Sequence, residues 1–176
     1  MADYRKKKIK DLCSIQRIHV IPQAGTTYTL FSLPAFDNSK TPELVDGKAI
    51  MSGKLVLTPQ TILYNKLNVK FKRVWNIKGL DKSNTICSPE YIPLKVNNGV
   101  DQDYIYYLLI SNKMTQTMHG ARKGTSCSQQ RIDADALLNY EIPVPSIEEQ
   151  RKIASILSRL DEKIENNKSI NNNLAA

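Results

Sequence analysis

The chain has 176 residues, 41% of them hydrophobic, with 25 Lys plus Arg against 17 Asp plus Glu and a formal charge of +8. That size and apolar content suit one ordinary domain with an appendage. No apolar run approaches the roughly 18–20 residues that span a bilayer, and none of signal-peptide length follows the basic N-terminus, so the expectation is a cytoplasmic protein with no membrane partner. Cys13, Cys87 and Cys127 are odd in number, widely spaced and form no CxxC pair. They point to idle thiols in a reducing compartment, with no disulfide framework and no metal site.

In chain order, Arg5–Lys10 is a basic arm or a solvated strand end. Tyr28–Leu33 is a short β-type run stopped by Pro34, and Phe36–Gly47 is polar with Pro42 and Gly47, the composition of a loop. Lys54–Leu57 and Thr61–Tyr64 are β-branched and apolar around Pro59. Arg73–Ile77 is a further strand candidate. Thr85–Val96, broken by Pro89 and Pro93, is a strand pair or a kinked strand, and Asn97-Asn98-Gly99 is a turn. The period then changes. Asp101 or Asp103 caps a helix through about Met118, with Ile105, Leu108, Leu109 and Met114 inward. Gly120–Gln130 is a Gly/Ser-rich loop, Asp133 caps a short helix containing Ala136, Leu137 and Leu138, and Glu141–Val144 is extended.

Ser146 and Glu149 then have capping-box spacing, and no Gly or Pro follows up to Leu174. Apolar residues at Ile153, Leu157, Leu160, Ile164 and Leu174, with Asn167 and Asn171 in the intervening places, step by four and three in a heptad-like seam. At 1.5 Å per residue, residues 147–174 make a rod of about 42 Å. A one-striped rod of that length either finds a partner helix or folds back on its own domain. Five acids (Glu148, Glu149, Asp161, Glu162, Glu165) balance five bases (Arg151, Lys152, Arg159, Lys163, Lys168) in residues 146–176, which leaves the whole +8 on residues 1–145. A cationic globule suggests a polyanionic partner and a neutral rod a protein partner.

No catalytic set emerges. Gly47–Lys54 (GKAIMSGK) imitates a phosphate loop, but its spacing is one residue off and Leu55 stands where Ser or Thr would hold magnesium. His19 and His119 have no metal-ligand spacing around them, and there is no glycine-rich strand–helix turn for a dinucleotide or adenosyl cofactor. Asp133/Asp135 and Glu148/Glu149 sit at helix starts, where negative charge is favourable. The expectation is a chain that is not an enzyme.

Two acid-free basic stretches remain. Tyr64–Lys78 (YNKLNVKFKRVWNIK) carries Lys66, Lys70, Lys72, Arg73 and Lys78, with Asn65 and Asn68 and the aromatics Phe71 and Trp75. Lys and Arg neutralise phosphates and Asn can read adenine edges. A solvated hairpin with inward aromatics fits the same composition, and Trp75 reads as core. Gly120–Arg131 (GARKGTSCSQQR) carries Arg122, Lys123 and Arg131 among small hydroxyls and amides, with Gly124 permitting close backbone approach. A polar connector between two helices fits it equally.

In this order these segments resemble type I restriction–modification specificity subunits. The marks are the GARKGTSCSQQRI loop, the DALLN helix (Asp135–Asn139), IPVPSIEEQRKIASIL (Ile142–Leu157) and LDEKIENNKSINNNL (Leu160–Leu174). LYNKLNVKFKRVW (Leu63–Trp75) is similar to the family's S-K-L-N-P region, with Val69 where proline is usual. The resemblance is weak before residue 54 and strong after residue 120. It implies an α/β (α+β) target-recognition domain over residues 1–145 and a helical spacer over residues 146–176. That spacer would form an antiparallel coiled coil with a second half through Ile153, Leu157, Leu160, Ile164, Asn167, Asn171 and Leu174.

By the same resemblance the chain reads one part of a split double-stranded DNA target. Phosphates would be held by Lys66, Lys70, Lys72, Arg73, Arg122, Lys123 and Arg131. Asn65, Asn68, Ser126, Ser128, Gln129 and Gln130 would lie nearer the bases, with Gly124 and Thr125 in the same loop. Methyltransferase and restriction subunits would bring S-adenosylmethionine, ATP and magnesium, so the chain itself would hold no cofactor. Met1 suits a natural start and the seam stops in mid-pattern, which implies a half-length subunit paired with itself as a homodimer, or a fragment. A non-catalytic assembly scaffold and the recognition part of a single-chain modification enzyme are the other readings.

Overall fold

The computed structural model describes residues 4–80, 84–121 and 131–174. Its strands are β1 (Arg5–Lys8), β2 (Cys13–Ile15), β3 (His19–Val20), β4 (Thr27–Phe31), β5 (Glu43–Asp46), β6 (Lys54–Val56), β7 (Thr61–Asn65), β8 (Val74–Ile77), β9 (Thr85–Cys87), β10 (Tyr91–Val96) and β11 (Glu141–Val144). Its α-helices are α1 (Leu33–Asn38), α2 (Gln102–Leu109), α3 (Asn112–Gly120), α4 (Ala134–Leu138) and α5 (Ile147–Leu174).

An antiparallel sheet in the order β2-β10-β7-β8 is the structural middle. All of β7 is buried, because its alternate residues serve two different cores. Ile62 and Tyr64 join Ile92, Leu94, Ile105, Leu109, Met114 and Met118 on one side. Leu63 joins Trp75, Tyr91, Phe31, Leu55 and Cys87 on the other. Burial on both faces is why this strand reads as an unbroken apolar run rather than an alternation. The second sheet, β3-β6-β9-β4-β5, closes the Trp75 side, with β4 and β9 parallel and its other pairs antiparallel. Phe31 and Phe36 meet the Trp75 ring edge-on at 4.9 and 5.1 Å. The indole N–H donates to Tyr91 Oη at 3.0 Å, so the polar end of the tryptophan is satisfied inside the core.

Four expectations are corrected. Pro34 does not end structure: Ser32 caps α1 by accepting from Ala35 N at 3.1 Å, and Pro34 sits in the first turn, where a missing N–H costs nothing. The segment read as a loop over Phe36–Gly47 holds the end of α1 and the edge strand β5. β10 runs straight through Pro93, whose carbonyl accepts from Gln16 N at 3.0 Å beside the end of β2, so the absent donor falls where that short strand is finishing. The single helix expected up to Met118 is two, because Ser111 starts a new cap, accepting from Met114 N at 3.2 Å. The glycine of the imitation phosphate loop also has a local cause: a Cβ on Gly47 would lie 2.1 Å from the Gln23 carbonyl oxygen.

The basic segment near the N-terminus is strand β1, largely exposed and paired antiparallel with β11. α5 leaves β11 through Pro145 and Ser146. The capping box forms as expected: Ser146 N donates to Glu149 Oε2 at 3.2 Å, and Glu149 N donates to Ser146 Oγ at 3.3 Å. Gln150 fixes the root. Its buried amide accepts from Asp101 N at 2.9 Å and donates to the Pro145 carbonyl at 3.0 Å, which ties the first turn of α5 to the residue that caps α2.

Candidate nucleic-acid interface

The connection between β7 and β8 is built from its ends inward. Tyr64 pairs with Val74, and Asn65 N donates to the Arg73 carbonyl at 3.2 Å. Asn65 is 2% exposed, and its amide closes the loop on itself, accepting from Leu67 N at 2.8 Å and donating to the Leu67 carbonyl. Expected near base edges, Asn65 instead shapes the loop, because the last position of a doubly buried strand has no path outward.

Val69 is buried in the main core and anchors a 3-10 turn, Val69–Phe71, with Asn68 (φ +52°) and Lys72 (φ +46°) left-handed on either side. Asn tolerates that conformation and Lys ordinarily avoids it, so the turn is held by its surroundings. α3 packs on it, and Lys72 Nζ donates to Asn112 Oδ1 at 2.6 Å. Arg73 makes a two-pronged pair with Asp37 at 2.6 and 2.7 Å, and its guanidinium lies over the Phe71 ring, 4.6 Å from the centroid. Lys70 and Phe71 are left at the tip, and among the described residues Lys70 has no ionic or hydrogen-bond partner.

The last residue of the second basic stretch, Arg131, meets this loop. Leu67 and Arg131 form an isolated antiparallel bridge, and Ile132 N donates to the Lys66 carbonyl at 3.0 Å. Arg131 reaches Glu90 at 2.8 Å from a largely exposed position. Arg122, Lys123, Gly124, Thr125, Ser126, Ser128, Gln129 and Gln130 lie outside the described residues. Arg131 itself lies beside the 66–73 loop. Sequence reasoning missed a contribution from the second sheet: half-buried Lys66 shares a groove of about 200 Å³ with Arg17 and His19. No spacing rule links residues 17, 19 and 66; only the pairing of strands does.

Arg73 and Arg131 each carry a carboxylate partner, so neither presents an unmatched charge. The Arg131 pair is not a fully exposed one: Glu90 is 30% exposed and its other oxygen, Oε2, is buried with no partner among the described residues, so a phosphate that draws Arg131 away must offset the loss to Glu90. Arg73 is more tightly held, its side chain only 15% exposed. Burial raises the Cys13 and Cys87 thiols to about 12, so neither is a thiolate nucleophile near neutral pH.

The seam on α5 divides. Ile153 packs against the main core, and with Leu157 it lines an apolar groove of about 330 Å³ that also involves Tyr104, Leu108, Met114 and Ile142. Tyr107 Oη donates to Asp161 Oδ2 at 3.0 Å. From Arg159 to Leu174 every residue is exposed, including Leu160 at 51%, Ile164 at 50%, Leu174 at 81%, Asn167 and Asn171. Ile156 and Ile170 are exposed as well and widen the stripe. They stand four residues before Leu160 and four before Leu174, a signal present in the sequence but off the strict seam.

Residues 1–176 match the family model described as type I restriction modification DNA specificity domain. The chain is 38% identical over 74 residues to the type I restriction enzyme MjaIX specificity subunit of Methanocaldococcus jannaschii, covering 42% of this chain and 17% of that protein. It is 32% identical over 95 residues to the HindI specificity subunit of Haemophilus influenzae, covering 53% and 21%. The fold is similar to the HsdS subunit from Thermoanaerobacter tengcongensis, with a TM-score of 0.78 at 18% identity over 97% of this chain and 45% of that one. It is also similar to the S subunit of the type I system from M. genitalium, with a TM-score of 0.61 at 20% identity over 94% and 41%. The chain therefore spans less than half of these solved chains, and the aligned stretches less than a quarter of these two curated relatives. The mixed α/β fold with a long C-terminal helix is the one expected.

Proposed function

Because the chain belongs to the family of type I restriction modification DNA specificity domains, we propose that it is a sequence-specific, double-stranded DNA-reading module of a type I restriction–modification system, contributing one half of a split target. The observation that carries this is the β7–β8 loop: a braced turn that thrusts an unpaired lysine and an aromatic ring outward, with Arg131 alongside. In this reading Lys70, and Arg131 after releasing Glu90, hold phosphates. Lys66, Lys72 and Asn68 stand behind them, Arg73 stiffens the loop from its pair with Asp37, and Arg122 to Gln130 complete the surface. Asn65 supports the backbone and touches no base.

Recognition is then the chain's own contribution and catalysis belongs elsewhere. Methyltransferase and restriction subunits bring S-adenosylmethionine, ATP and magnesium, and the chain itself is a non-catalytic cytoplasmic subunit without cofactor. Residues 1–145 form the reading domain and residues 146–176 the spacer. Leu160, Ile164 and Leu174, continuing from Ile153 and Leu157, seat the helix of a second half in an antiparallel coiled coil, in a homodimer or within a longer protein. Asn167 and Asn171 weaken that seam while fixing its register. A rod of about 42 Å slightly exceeds one duplex turn of about 34–36 Å, so it can set the gap between half-sites.

The test is salt dependence. Lys70→Ala should reduce the slope of log K against log salt by about one unit while leaving sequence preference intact. An unchanged slope removes Lys70 from the phosphate contact. A chain that assembles with its partner subunits but retains no duplex at low salt is a scaffold.

A further inference from the structure

We propose that Phe71 is a specificity-determining residue whose ring packs on the 5-methyl group of a thymine in the major groove. The inference rests on the DNA-reading conclusion above and adds to it an apolar contact that the charged residues cannot supply.

Phe71 is 62% exposed, whereas Trp75, four residues on in the same hairpin, is buried with its N–H satisfied. The turn does not need Phe71 to fold, since buried Val69 is its anchor. An exposed aromatic side chain in a run of Lys70, Lys72 and Arg73 is poorly suited to an apolar protein surface, because docking there would desolvate those cations. It is well suited to a polyanion whose grooves contain apolar atoms. The thymine methyl is the apolar group on the major-groove edges of the base pairs, and phenylalanine is among the side chains that meet it.

The ring's surroundings narrow the mode of contact. Arg73 covers one face at 4.6 Å and is itself fixed by two hydrogen bonds to Asp37. Full intercalation between two base pairs uses both faces of a ring, so it would require breaking the Arg73–Asp37 pair. One face and the edge remain available, enough for a methyl group. The left-handed residues Asn68 and Lys72, with the contact from α3, hold the ring at a fixed height above the loop.

The 176-residue chain is used to select duplexes from a randomised pool at low salt, and each thymine of the selected site is then replaced by uracil, which removes only the methyl. For the wild type, one replacement should weaken binding roughly four-fold, the worth of one buried methyl group. Phe71→Ala should bind the unmodified site weaker by at least that factor and be indifferent to that replacement, with its salt slope unchanged. Phe71→Leu should retain part of the effect, and thermal melting verifies that both variants are folded. Phe71→Ala binding as tightly as wild type, equal sensitivity of both proteins to every uracil, or a selected site without A·T pairs overturns the proposal while leaving DNA reading intact. Failure of the wild type to select any sequence overturns the DNA-reading conclusion, and this one with it.

Discussion

Ile153 and Leu160 belong to one stripe on one helix, one heptad apart, yet the first is packed against the main core and the second is half exposed. The same contrast separates the globule from the outer part of α5. The central sheet buries both of its faces inside the chain, while residues 159–174 bury none of theirs. Apolar periodicity records which face of a helix is meant to be covered; it does not record whether the cover comes from the same polypeptide. The globule is therefore stabilised internally, and the strut beyond Ser158 has no such cover among the described residues.

Trp75→Ala gives the largest expected effect. It removes the ring shared by Phe31, Phe36 and Tyr91 and should cost about 3–5 kcal/mol, read as a large drop in the melting temperature of the globule. A small drop would mean that the second core is dispensable and the two sheets are joined some other way. Gln150→Ala comes next, at about 1–3 kcal/mol, because it leaves the partly buried Asp101 N and the buried Pro145 carbonyl without a partner. Hydrogen exchange should show faster opening of the first turns of α5 before the sheets are affected. The smallest effect on the globule is expected from the double variant Leu160→Glu and Ile164→Glu: under about 0.5 kcal/mol, as for other exposed sites. The same variant should abolish helix pairing in sedimentation. Loss of globule stability there would show that the outer half of α5 is covered by its own domain, and the contrast would collapse.

Much of this was legible because it is local. The capping box at Ser146, the cap at Asp133, the doubly buried run of β7 and the break at Asn97–Gly99 each declare themselves within a few residues. What escaped is what the third dimension decides. Asn65 looked like a reader because Asn is a reader in general, but the strand it ends is enclosed on both faces. Arg73 looked available until α1, itself hidden by a misread proline, brought Asp37 to it from 36 residues away. Gln150 stood in full view within a recognisable motif, yet its task depends on Asp101, 49 residues earlier. Phe71 and Trp75 have the same composition signal and opposite fates, because β8 begins between them.

The pairing of β1 with β11 has a consequence for synthesis. Arg5 lies opposite Val144, so a nascent chain leaving the ribosome carries β1 without its mate until nearly the whole globule has been translated. At elongation rates of about 5–20 residues per second, that wait is roughly 7–28 s. Throughout it the strand is a bare ribbon edge, open to a neighbouring nascent chain. Its Arg-Lys-Lys-Lys composition, read for nothing but itself, gives it the like-charge repulsion that keeps two such ribbons apart until the proper mate arrives.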